Sequence, residues 1–176
     1  MLGLTSLGIV HTAIGLIAVA AGFVALARDR AIRVATGAGK VYLWTTLLTV
    51  LTGFGIFQHG GFGKPHALGV LTLLVIGAAE LARRSTVFGR AAAYVETIGY
   101  STTFFFHFIP AITETLTRVP VGAPLVSHAE AAIVQRCVGV VFAVYLVGVV
   151  LQWRALRVAR REGGASMLAV PARRTS

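Results

Sequence analysis

The chain has 176 residues, of which 56% are hydrophobic and only 12% are charged, and its mean hydropathy is +0.81. These values exclude an ordinary water-soluble domain and indicate an integral membrane protein. The single cysteine, Cys137, excludes an intrachain disulfide and a metal site built from several thiolates.

Five long apolar stretches follow one another along the chain. Each is close to the ~20 residues that a helix needs to cross ~30 Å of hydrocarbon. No stretch has the length and alternation of a membrane-spanning strand, so the pattern predicts an all-α bundle of five transmembrane helices. The predicted spans are Leu4–Ala27, Val41–Phe57, His66–Ala82, Ala91–Leu116 and Val134–Trp153.

The distribution of charge predicts how these spans are oriented. The net charge is +10, and the lysines and arginines concentrate after spans one, three and five. By the positive-inside rule the N-terminus is outside, the C-terminus is cytoplasmic and the chain crosses the membrane five times. Span one has no basic segment before it and positive charges after it, so we expect it to be retained and not cleaved as a signal peptide.

The chain is predicted to form one transmembrane domain over residues 1–158 and a flexible, basic cytoplasmic tail over residues 159–176. Because the net charge is explained by the loops and this end of the chain, nucleic acid is not an expected partner. The basic residues after span five are instead expected to attract anionic lipid headgroups. The first four of them are Arg154, Arg157, Arg160 and Arg161.

Three histidines are predicted to lie at one height in the membrane. His11 and His66 each precede an arginine by seventeen residues, and His107 follows Arg90 by the same separation. Seventeen helical residues span roughly 25 Å, so the three imidazoles would lie at a similar distance from the basic loops. Ionisable groups at membrane depth are costly and tend to mark cofactor, ion or proton sites.

Span four carries a stripe of polar side chains on one helical face. Their spacing follows the helical period, so the stripe should face the bundle interior or a water-filled cavity. Pro110, beside His107, removes a backbone hydrogen bond to the carbonyl of Phe106. The stripe consists of Glu96, Tyr100, Thr103, His107 and Glu114.

The histidines admit two kinds of cofactor site, since the sequence indicates their height but not the direction in which they point. Two facing histidines would suit b-type haem, with Gly15, Gly69 and Gly99 leaving room for the macrocycle. Three converging histidines with Glu114 would suit a transition metal such as zinc, copper or non-haem iron. His59 and His128 lie in loops and are expected to be solvated. Catalytic residues cannot be assigned, because no nucleophile motif is present.

The run from His11-Thr12-Ala13-Ile14-Gly15 through Arg33, Gly37 and Tyr42 to His66 resembles an uncharacterised family of small bacterial predicted membrane proteins. The resemblance covers about residues 8–85 and implies only a small helical membrane protein without an assigned reaction. The histidines in apolar helices are also loosely similar to those of cytochrome b561-like proteins, which would imply haem.

Two classes of function therefore remain open. In the first, His11, His66 and His107 hold haem b or a transition metal, and electrons pass between membrane quinol and a partner on the outer face. In the second, the protein is a non-enzymatic accessory subunit of a membrane complex or a small transporter. There the stripe of span four is structural, or forms a proton or ion path from Glu96 through His107 to Glu114.

Overall fold

The computed structural model describes residues 5–56 and 61–168 of the chain. In this part all regular secondary structure is helical, which confirms the predicted all-α class. Leu4 and Phe57, which bound two of the predicted spans, lie outside the described residues, as do His59 and residues 169–176 of the predicted tail. The helices are α1 (Ser6–Asp29), α2 (Gly37–Gly53), α3 (Lys64–Arg84), α4 (Ala92–Arg118) and α5 (Ala132–Leu168), and a short 3₁₀ helix, Gly89–Ala91, precedes α4.

Capping residues explain where two of the helices begin. The side chain of Thr5 accepts a hydrogen bond from the Gly8 N–H and starts α1. Thr36 does the same for Gly39 at the start of α2, so this helix begins four residues before the predicted span. A threonine oxygen is a favourable N-cap because it binds an amide that has no partner inside the helix.

The first four helices form a bundle in which α1 packs along α2 and α3 packs along α4, with smaller contacts of α2 on α3 and of α1 on α4. α5 packs along α4. Successive helices of this bundle alternate in direction, which brings the start of α1, the end of α2, the start of α3 and the end of α4 together. We call this the cavity end of the bundle, and the opposite end, where α1 and α3 finish, the arginine end.

The core lies between the middle of the bundle and its arginine end. Tyr42 of α2 and Tyr100 of α4 are completely buried in it, and Phe104 is nearly so. Gly22 allows α1 to approach α4 closely, since a Cβ atom there would lie 2.4 Å from the Phe104 ring. The buried cluster consists of Ala21, Ala25, Ile32, Tyr42, Leu43, Ile76, Ala79, Tyr100 and Phe104.

Three of the helices are long and apolar enough to cross a membrane. They are Ser6–Asp29, Lys64–Arg84 and the Ala132–Glu162 part of α5. Large apolar side chains point away from the protein on all three, including Leu16, Leu74 and Val144, each about two-thirds exposed. An apolar outer surface of this kind is typical of a protein that is solvated by lipid.

Candidate functional site

A cavity of about 240 Å³ lies between α1, α2, α3 and α4 at the cavity end. It extends along α4 from Arg118 to Thr103, about four helical turns or roughly 22 Å. All three histidines that the sequence places at one height, His11, His66 and His107, line it. The sequence predicted a common height for these histidines but not the direction in which each points, and the helix packing turns all three toward one cavity.

His11 is held against α2 through one ring nitrogen. Its Nδ1 lies 3.1 Å from the hydroxyl oxygen of Thr52, and that hydroxyl already donates to the carbonyl of Leu48. The Thr52 oxygen therefore accepts, and His11 donates from Nδ1, which leaves the Nε2 lone pair of the neutral ring able to take up a proton. Gly53 makes this approach possible, because a Cβ atom there would lie 3.1 Å from the imidazole.

His66 has a structural task at the beginning of α3. Its Nδ1 accepts a hydrogen bond of 3.2 Å from the Gly63 N–H, and its ring stacks with those of Phe54 and Phe62. With the Nδ1 lone pair in use, the neutral ring carries its proton on Nε2. Binding a metal through Nε2 would require the other tautomer and would break this helix cap. His66 therefore cannot accept this hydrogen bond through Nδ1 and bind a metal through Nε2 at the same time as a neutral ring.

His107 begins a chain of buried hydroxyl groups at the floor of the cavity. Its Nε2 lies 3.0 Å from the Thr46 hydroxyl, and that hydroxyl is near enough to the Tyr42 hydroxyl to interact with it. The Tyr42 hydroxyl lies 2.8 Å from that of Thr103, and Thr103 donates in turn to the carbonyl of Tyr100 at 2.9 Å. Hydroxyl groups both donate and accept, so this chain can pass a proton along by reorientation.

Glu114 and Arg118 form an ion pair at the mouth of the cavity. Glu114 is about half exposed, whereas Arg118 is mostly covered. The Glu114 carboxylate is near enough to His11 to act on its charge, and His11 likewise acts on His107. The cavity therefore contains an electrostatically connected series from its mouth to its floor.

The other two residues of the α4 stripe lie toward the arginine end. Tyr100 donates to the Glu80 carboxylate at 2.5 Å, and Arg83 and Arg84 each contact the same carboxylate at 2.6 Å. Glu96 is half-buried and lies within electrostatic range of Glu80 and Arg83. Of the stripe, the cavity includes Thr103, His107 and Glu114 but neither Tyr100 nor Glu96.

The residues present give little support to a metal or haem site. Over residues 5–56 and 61–168, no group of three or more His, Cys, Asp or Glu side chains is arranged to hold a metal ion. The three glycines that would make room for a haem instead admit neighbouring side chains: Gly15 faces Thr49, Gly69 faces the Phe54 ring, and Gly99 faces Ala79. The cavity is also smaller than the roughly 300 to 1,000 Å³ of most cofactor and ligand pockets.

Outside the cavity, Lys64 at the start of α3 pairs with Glu130 in the loop before α5, at 2.9 Å. The Lys64 ammonium group, by hydrogen bonding to the Glu130 carboxyl, holds the pKa of that carboxyl below its ordinary value. Both side chains are well exposed, so the pair contributes little to stability. His128 in the same loop is exposed, as expected.

Several residues of the site were not predicted from the sequence. Thr46 and Tyr42 carry the hydroxyl chain, Thr52 orients His11, and Glu80 binds Tyr100. One signal was present, because Tyr42, Thr46 and Thr49 recur at helical spacing and form a polar stripe on an otherwise apolar helix.

Comparison of the chain with models of protein families, with curated proteins and with solved structures found no match. The resemblances drawn from the sequence are therefore neither supported nor contradicted. What the protein does has to be inferred from the cavity itself.

Proposed function

We propose that this protein transfers protons between the outer side of a bacterial inner membrane and the membrane interior, through the cavity and the hydroxyl chain below it. The observation that carries the proposal is the row of polar groups from His107 through Thr46 and Tyr42 to Thr103, in which His107 lies within hydrogen-bond distance of Thr46, and Tyr42 within that of Thr103. This chain shares His107 and Thr103 with the predicted path of α4 and adds Thr46 and Tyr42 of α2.

The proposed topology has five spans, with the N-terminus outside and the C-terminus in the cytoplasm. Besides the three helices that are long and apolar enough, α2 and α4 pack between them and are about 25 Å and 40 Å long by helical rise. The charge distribution supports the orientation, because the arginine-rich loops belong on the cytoplasmic side. The cavity end then faces outward.

In the proposed mechanism water enters the cavity beside its polar groups, which include His11, Thr46 and His107. Protons enter past Glu114, and the Nε2 lone pair of His11 or the ring of His107 takes them up. From His107 they pass to Thr46 and onward through Tyr42 to Thr103.

A second polar segment continues the proposed path toward the cytoplasm. Tyr100 and Glu80 form it, and it reaches Arg83 and Arg84 at the end of α3. One turn of α4, between Thr103 and Tyr100, separates the two segments. We assign the slowest step to this turn.

The test is proton flux into liposomes that contain the purified protein and an internal pH-sensitive dye. His107→Gln retains an amide that can hydrogen-bond to Thr46 but cannot be protonated, so we expect flux to fall to that of protein-free liposomes. His128→Gln, in the exposed loop, is the matched control and should conduct like the wild type. Equal flux in the two variants would refute the path.

A redox protein is the second candidate, because His11, His66 and His107 do line one cavity. In that case His11, His66 and His107, with Glu114 nearby, would hold haem b or a transition metal, which would supply redox chemistry toward quinol and an outer partner. An absorption spectrum with and without dithionite, together with metal analysis, separates the candidates. A Soret band or a stoichiometric metal that His107→Ala loses would favour the redox protein over the proton path.

Single-cysteine labelling tests the topology. In a Cys137→Ser background, Gly122→Cys lies in the loop between α4 and α5, and Glu162→Cys lies near the end of the described part of α5. An impermeant maleimide added to intact cells should label the first and not the second. The reverse pattern would overturn the orientation, and labelling of both would mean that α5 does not cross the membrane.

A further inference from the structure

A second groove, unrelated to the cavity, lies at the arginine end between the beginning of α4 and the later part of α5. It is open to the surface and has a volume of about 560 Å³. Four arginines and two aromatic residues line it: Arg90, Tyr94, Trp153, Arg157, Arg160 and Arg161.

The groove concentrates positive charge that the protein does not neutralise. None of its four arginines forms an ion pair with a residue in the described ranges, whereas the nearby Arg83 and Arg84 share the Glu80 carboxylate. On α5, Arg157, Arg160 and Arg161 are three and four residues apart and so project from one face. Like charges held this close repel one another unless an anion lies between them.

Aromatic side chains shape one wall of the groove. The guanidinium group of Arg157 lies over the Trp153 ring, 5.2 Å from its centre, a cation–π contact that restricts the arginine. One turn earlier on α5, Val150 and Leu151 are more than half exposed. Trp153 therefore stands at the boundary between an apolar surface and a cationic one, which is where tryptophan is enriched at membrane interfaces.

From this arrangement we propose that the groove binds an anionic phospholipid whose headgroup carries two phosphates, as cardiolipin does. Each guanidinium presents a planar fork of donors that matches phosphate oxygens, and four of them suit two phosphates. The apolar surface beside Trp153 suits acyl chains, which free phosphate lacks. Basic pockets between membrane helices bind headgroups of this class. The proposal does not depend on the proton path.

The experiment is native mass spectrometry of the full-length protein, released from nanodiscs of phosphatidylcholine that contain cardiolipin or phosphatidylglycerol at equal total charge. Arg157→Gln with Arg160→Gln alters the groove. The control pair, Arg28→Gln with Arg154→Gln, removes the same charge from arginines that do not line it. A competition with inorganic phosphate is run on the wild type.

We expect the wild type to retain one cardiolipin, to exchange it poorly for phosphatidylglycerol and to keep it in millimolar phosphate. Because the groove variant loses two charge-assisted contacts to phosphate, it should bind at least about tenfold more weakly, and the control pair should bind like the wild type. Equal loss in both pairs would show that general charge attracts the lipid. Equal retention of phosphatidylglycerol, or displacement by phosphate, would also overturn the proposal. These lipid and phosphate comparisons need only the wild type, so they decide the matter even if the groove variant does not fold.

Discussion

The two ends of the helical bundle use similar residues in different ways. At the arginine end the Glu80 carboxylate is bound by Tyr100, Arg83 and Arg84, and it lines neither the groove nor the cavity. At the cavity end His11, His107 and Glu114 lie around open space. The comparison teaches that ionisable side chains of one bundle can line an open space at one end and be bound by one another at the other. Where neighbours occupy every lone pair, the same chemistry holds helices together.

The largest loss of stability should follow from Glu80→Ala. This change leaves the buried end of Tyr100 without its acceptor and removes a hydrogen bond between α3 and α4, at a cost of about 2 kcal/mol. Thermal unfolding in detergent would measure it. Glu162→Ala, which removes an exposed carboxylate from α5, is the control and should leave the unfolding temperature unchanged. Similar behaviour of the two variants would mean that the polar cluster does not stabilise the bundle.

Tyr100→Phe should have the next largest effect. The ring remains packed in the core, and only the hydrogen bond to Glu80 is lost, so we expect a destabilisation of about 1 kcal/mol. Because Arg83 and Arg84 still pair with Glu80, the loss should be smaller than in Glu80→Ala. A loss of stability as large as that of Glu80→Ala would show that the Tyr100 hydroxyl, and not the ion pairs, supplies the stabilising contact of Glu80.

At the cavity end we expect a smaller change in stability from Thr52→Val. The variant removes the acceptor of the His11 N–H, and water in the cavity can replace it, so the cost should be about 0.5 kcal/mol. Nitrogen chemical shifts of His11 should report a loss of the Nδ1–H tautomer preference. An unchanged tautomer would mean that Thr52 does not orient the ring.

The smallest effect should come from Lys64→Gln, at the exposed pair with Glu130. Lys64 lowers the pKa of Glu130, so its contribution exists while the carboxylate is ionised and is lost as pH falls through that lowered pKa. A carboxyl NMR titration should place the Glu130 midpoint higher in the variant than in the wild type. The unfolding temperatures should be nearly equal at neutral pH and converge in acid. An unchanged midpoint would show that the pair does not persist in solution.

Much of the fold could be predicted from the sequence, because apolar stretches of about twenty residues leave few alternatives in a membrane. All five predicted helices are present in the described residues, and only their ends differ. α2 begins at Gly37, after the cap Thr36, whose role is not visible in hydropathy, and α5 continues beyond Trp153 to Leu168. Hydropathy indicates which residues of a helix are apolar enough for lipid, but a helix can begin before that apolar stretch or continue after it.

The site was only partly predictable. Equal separation from arginines placed three histidines at one height, and the helical period assigned the α4 residues to one face. Neither signal indicates which neighbour a side chain meets. His66 instead accepts a hydrogen bond from Gly63 at the start of its own helix, and Tyr100 of α4 binds Glu80 of α3. Thr46 became part of the site only through the packing of α2 against His107.

The most direct test of the proton path replaces two adjacent threonines of α2 in turn. Thr46→Val removes the hydroxyl between His107 and Tyr42 without changing the volume much, whereas Thr45→Val removes a hydroxyl that bonds only within its own helix. We expect liposome proton flux to fall to the background leak in the first variant and to stay at the wild-type rate in the second. Wild-type flux in Thr46→Val would contradict the path.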